Sequence, residues 1–160
     1  EQGLGVSKTV GDLAGPTAFA ALMPFSRLIY GKYGDRLNLD KCMTASTVLC
    51  IASYIVIAFV PSPAVGLIGC AVCGFSVGIM WPGTFSKAAV SIKGGGTALF
   101  ALLALAGDLG CSGGPTLAGL ASSAAGGNLH KGIFAAVIFP AVLLAGLFLS
   151  KNKAKNELKK

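Results

Sequence analysis

Residues 42–60 read CMTASTVLCIASYIVIAFV, nineteen positions without a charged side chain, closed by Pro61-Ser62-Pro63. About 20 predominantly apolar residues, wound as an α-helix, are enough to cross the hydrocarbon core of a bilayer. The same reading recurs on both sides. A first segment covers about 10–30, from Val10 through AFAALMPF to Tyr30, and begins with the polar and breakable set Gly11, Asp12, Gly15 and Pro16. Further segments cover about 64–86, 97–122 and 132–150. None has a Lys or Arg near its middle. The expected fold class is therefore all-α and integral to the membrane, with five transmembrane helices.

Composition excludes the other classes. Apolar residues make up 54% of the 160 positions and charged residues 12%, about half the usual ~25%. A soluble domain has too few charges here to cover so much apolar surface. Disorder requires low hydrophobicity, and a disulfide scaffold requires a short, Cys-dense chain. The net charge of +7 does not imply a nucleic-acid partner, because the cations occupy short gaps and the last ten residues. No basic stripe is interleaved with aromatics, as a single-strand binder needs.

The positive-inside rule orients the segments. One set of connections holds Lys8 and Lys131. The opposite set holds Arg27, Lys32, Arg36, Lys41, Lys87, Lys93 and the five lysines of the tail, two cations against eleven. The expected topology is a multi-pass protein of the cell (inner or plasma) membrane, with the N-terminus outside and the C-terminus cytoplasmic. The basic tail suits anionic lipid headgroups. The chain opens on Glu1 without an initiator Met or a signal-peptide pattern, so it is expected to be a piece of a longer protein with at least one helix upstream.

The loop SRLIYGKYGDRLNLDK, residues 26–41, carries the most specific pattern. Gly31 and Gly34 allow a tight turn beyond a helix, and Asp35-Arg36 places opposite charges at a helix end, where a carboxylate can cap or pair. Gly31-x-x-x-Asp35-Arg36 after an apolar helix resembles the loop signature of major facilitator superfamily transporters. There it lies between the second and third helices and, in weaker form, between the eighth and ninth. The signature continues with Gly and two basic residues where this chain has Asn38, Leu39 and Asp40, a departure that fits the second copy. Five helices with an outside start, this loop after the first of them and a basic tail resemble helices eight to twelve. The Gly- and Pro-rich third and fourth segments resemble the tenth and eleventh helices of sugar- and fucose-permease-like members.

The resemblance implies that residues 1–160 form part of a C-terminal helical bundle whose partner is the missing N-terminal half of the same transporter. It implies a gating role for Gly31, Asp35 and Arg36, with Arg27 either pairing with an acid across the cytoplasmic gate or snorkelling to the headgroups. It makes the second and fifth segments scaffold. The alternative reading of the loop is a solvated turn whose charges only set topology.

Asp108 lies near the middle of the fourth segment, where an ionisable group costs ~2.5–3.5 kcal/mol on insertion scales. At about 100° per residue it shares a face with Thr97, Ala101, Ala104, Cys111, Ser112 and Pro115, while Leu99, Leu102 and Leu103 fall opposite. Gly107, Gly110 and Gly114 form a further stripe suited to close helix approach. The acid should therefore look into the bundle or an aqueous cavity. It serves proton coupling, or hydrogen-bonds substrate hydroxyls with Ser112 one turn away, or is a neutral structural group.

In the third segment Gly74-x-x-x-Gly78 permits close packing, and Trp81-Pro82-Gly83 is expected to bend or break the helix. Trp81 is an interfacial anchor or a platform on which substrate stacks. Cys70-x-x-Cys73 reads as small-residue packing rather than a redox or zinc motif. His130 is the only His and lies in an outside loop, so no intramembrane catalytic pairing forms; no enzyme activity, metal or cofactor is expected.

The leading functional expectation is secondary active transport of a small polar solute, plausibly a sugar or related metabolite, by alternating access. The alternative is a self-assembling membrane module such as a channel subunit or accessory protein. A five-helix piece standing alone would expose its cavity face, which favours homo-oligomers or swapping.

Overall fold

A computed structural model describes residues 8–33, 37–92 and 94–157, with side chains from 13 to 151 within those ranges. Among the described residues the fold is entirely helical. Helix α1 spans Lys8–Tyr33, α2 Leu39–Phe59, α3 Pro63–Val77, α4 Met80–Ser91, α5 Gly96–Ala124, α6 Leu129–Ala135 and α7 Ile138–Glu157. These seven segments make five rods, because α3 runs into α4 and α6 into α7 with only two residues between.

Four of the rods, over Leu39–Phe59, Pro63–Ser91, Gly96–Ala124 and Leu129–Lys151, are long and apolar enough to cross a membrane. The protein is thus an all-α membrane protein. Helix α1 matches the others in length at 26 residues, but Arg27, Pro16 and Pro24 lower its apolarity, and it is not one of the four. The expectation of five apolar spans is met in full only from the second segment onward.

The ends follow from capping chemistry. Asn38 starts α2, its side-chain oxygen accepting from Lys41 N at 3.2 Å, and Asn128 starts α6 by the same bond to Lys131 N at 3.3 Å. Helix α5 closes with Gly127 N donating to Ser122 O and Gly126 N to Ser123 O, at 2.9 and 3.1 Å. This is a Schellman turn, and it needs the left-handed φ of +72° that Gly126 supplies.

Helix α3 is the centre of the bundle, flanked by α1 and α2. The seam between α2 and α3 is built from small residues. Met43, Thr47, Cys50 and Ser53 are buried along one face of α2, and Gly66, Gly69, Cys73 and Ser76 along α3. Buried hydroxyls turn back onto their own helices: Thr47 to Met43 O, Ser53 to Leu49 O and Ser76 to Cys73 O, at 2.7–2.9 Å. Lipid-embedded bundles associate through such close backbone packing, because tails are as apolar as leucine and provide no hydrophobic drive. Accordingly Leu28, Leu102, Leu109 and Val142 stay exposed on the outside of the bundle.

Gly74 and Gly78 pack as their spacing predicts. A Cβ on Gly74 would collide with the Phe19 carbonyl and Cα of α1, and one on Gly78 would stand 2.5 Å from Met23 O. Two turns of α3 thus lie directly on the α1 backbone.

The break after α3 sits at Gly78-Ile79, just before Trp81-Pro82-Gly83. Pro82 has no N–H for the carbonyl four residues earlier, which is that of Gly78. Arg27 Nε donates to this oxygen at 3.0 Å. One N–H of the guanidinium thus fills the acceptor that the proline leaves open. The second break, at Ala136-Val137, was not anticipated for a segment read as one scaffold helix. Pro140 causes it in the same way, and Phe139 N takes the Ala136 carbonyl at 3.2 Å instead.

Candidate functional site

Helix α5 is attached to the bundle at two places. Near its start, Phe100 stacks on Phe85 of α4 (centroids 5.6 Å apart, planes at 8°), and Phe85 meets Trp81 at 4.7 Å. The Trp81 indole lies against Gly107, with ring carbons 2.5 and 2.6 Å from where a Cβ would stand. Near its end, α5 receives Gly132 of α6 against Ala118 and Ser122. Between these attachments the helix stands away from its neighbours. Gly110, Gly113 and Gly114 meet nothing within 4 Å of a Cβ position, and α5 has no buried residue.

The gap is a cavity of about 870 Å³, and every rod contributes to its wall. Helix α1 supplies Phe19, α2 supplies Tyr54, and α3 supplies Cys73 and Val77. Trp81 comes from α4, and Ile133 and Phe139 come from α6 and α7. Helix α5 contributes Asp108 and Cys111, followed by Pro115, together with Gly107, Gly110 and Gly114. Among the described residues Asp108 is the only charged side chain on this wall. Pro115 has no N–H for the Cys111 carbonyl, and both residues border the cavity, which leaves a backbone acceptor there.

The structure brings Asp108 and Trp81 to one cavity, although 27 residues separate them (positions 81 and 108). Ser112 is not on the wall; its hydroxyl donates to the Asp108 carbonyl at 3.1 Å, and Thr116 donates to Ser112 O at 2.7 Å. Gly107 packs closely as a small-residue stripe should, whereas Gly110 and Gly114 widen the cavity instead. Of the loop residues, Gly31 is exposed in the last turn of α1, Arg27 is held at Gly78 O, and Asp35 and Arg36 lie outside the described residues.

Tyr54, Phe19, Ile133 and Phe139 were missed from sequence. Tyr54 was the only aromatic ring with a polar group in its segment, a signal that could have marked it. Pro140 marked the bend that turns Phe139 inward. An unanticipated ion pair, Lys87 Nζ with Asp40 Oδ1 at 2.5 Å, ties the end of α4 to the start of α2. All five cysteines are free thiols, with Cys73 buried in the α2–α3 seam and Cys70 half-buried.

No family model, no curated protein and no solved structure matches the chain.

Proposed function

We propose that this chain is part of a secondary active transporter of the major facilitator type, moving a small polar solute across the cell membrane by alternating access. One observation carries the reading. A membrane bundle of apolar rods leaves an open cavity to which every rod contributes, and the one charged side chain among its described lining residues is the mid-helix Asp108. Ionisable groups inside membrane segments line solute and ion pathways far more often than they serve the scaffold. A volume of about 870 Å³ falls within the range of small-molecule sites. The proline breaks at Pro82 and Pro140 supply places where rods can bend, as alternating access requires. In this reading Asp108 and Trp81 form the solute or proton site, the loop holding Gly31, Asp35 and Arg36 biases the gate, and Arg27 supports the α3–α4 bend. The N-terminus is outside and the basic tail is cytoplasmic.

The test is Asp108→Asn in the full-length transporter reconstituted in proteoliposomes, comparing uptake driven by a proton gradient with gradient-free exchange. Asn keeps the shape and one hydrogen bond but cannot gain and lose a charge. Loss of driven uptake with retained exchange assigns a proton-carrying role. Loss of both, with normal amounts of folded protein, assigns solute contact. Near-normal driven uptake makes Asp108 a scaffold residue and removes the reading's main support.

A further inference from the structure

We propose that the solute of this cavity is a small organic cation: an amine protonated at neutral pH, with an apolar or aromatic body. The inference rests on the transport reading above and names its substrate class.

The wall chemistry selects the class. Among the described residues Asp108 is its one charge, and no described Lys, Arg or His stands on the wall beside it. Asp108 is exposed to the open gap between the rods; inside a membrane segment an unpaired carboxylate is costly, and an ammonium offsets that cost through a charge-assisted hydrogen bond. An anion meets only repulsion there.

Four aromatic rings, Phe19, Tyr54, Trp81 and Phe139, come from four different rods. Aromatic faces attract organic cations, Trp most strongly. The Trp81 ring rests on Gly107, the residue directly before Asp108, so indole and carboxylate occupy adjoining parts of the wall. The rest of the lining, including Val77, Ile133 and Ala136, suits an apolar body.

A sugar fits this wall poorly. Among its described residues the only polar side chains besides Asp108 are Tyr54 and Trp81 and the Cys73 and Cys111 thiols, with no Asn, Gln, Ser, Thr, Lys, Arg or His. Ser112 and Thr116, the nearest hydroxyls on α5, are spent on backbone carbonyls of their own helix. A polyol would surrender several hydrogen bonds to water and recover few, and sites that recognise hydroxyls are built with matching polar groups.

Trp81 is the only tryptophan in the chain, so its fluorescence reports the cavity directly. The 160-residue chain in detergent is titrated with phenethylamine, with phenethyl alcohol as its uncharged counterpart, and with galactose as a polyol. The expected result is a saturable change at Trp81 with phenethylamine, affinity weaker by about tenfold or more for the alcohol, and no change with galactose. Asp108→Asn should abolish the preference for amine over alcohol, and Asp108→Glu should restore it. If Asp108→Asn does not fold, the amine-to-alcohol ratio of the unaltered chain decides alone. Equal affinity for amine and alcohol, or tighter binding of galactose, overturns the cation proposal and leaves transport of a neutral solute standing. No change with any probe overturns the cavity as a solute site, and the transport reading fails with it.

Discussion

Helices α3 and α5 are both rich in glycine, and they use it in opposite ways. In α3, Gly69, Gly74 and Gly78 each lie against atoms of a neighbouring helix, and the helix is the most enclosed in the bundle. In α5, Gly110, Gly113, Gly114 and Gly119 face open space, and no residue of the helix is buried. A missing side chain lets two backbones touch where a partner is present and enlarges a cavity where none is. The membrane makes this contrast possible, since a helix surrounded by lipid needs no water-excluding contact along its whole length to stay helical.

The contrast breaks if a side chain at Gly74 is tolerated. Gly74→Leu drives atoms into the Phe19 backbone, which cannot move aside without shifting α1. A loss of about 3 kcal/mol is expected, read as a lower unfolding midpoint in detergent with α1 becoming accessible to protease. A smaller loss, roughly 2 kcal/mol, is expected for Arg27→Met, which leaves the Gly78 carbonyl without its charged donor. Pro82→Ala restores a backbone N–H at position 82 that can reach the same oxygen. The cost of Arg27→Met should therefore shrink in the Pro82→Ala background, and a double-mutant cycle measures the coupling. Additive effects would show that the guanidinium does not serve the break.

The smallest expected effect sharpens the other side of the comparison. Gly114→Ala adds a methyl group to open space and should raise stability by about 0.5–1 kcal/mol, the usual gain of Ala over Gly inside a helix. Gly107→Ala, one position before Asp108, should instead displace the indole and shift Trp81 emission. If the two substitutions behave alike, α5 is not held in place by Trp81.

Much of the fold was legible because it rests on local chemistry. Residues 42–60 and 97–122 became helices within a few residues of the expected ends, the Gly74–Gly78 pair packed, and the third segment broke at Gly78-Ile79, just before Trp81-Pro82-Gly83. The face of α5 carrying Asp108, Cys111 and Pro115 borders a cavity, as its small residues suggested. Arg27 has a partner that the sequence did not suggest, the Gly78 carbonyl. Its acceptor lies 51 residues away, and no local rule pairs a loop-proximal arginine with a carbonyl freed by a distant proline.

The sequence by itself determined that this is a helical membrane protein, the general course of its apolar rods, and that Asp108 occupies a small-residue face. Hydropathy, capping and proline chemistry act within a few residues, so they can be read along the chain. Only the tertiary structure decided which glycines pack and which open the cavity, and that Trp81, Tyr54, Phe19 and Phe139 gather on the same wall as Asp108. Those outcomes depend on the distance between helices, and that distance is set where the rods meet: by Gly74 on Phe19, by Trp81 on Gly107 and by Gly132 on Ala118.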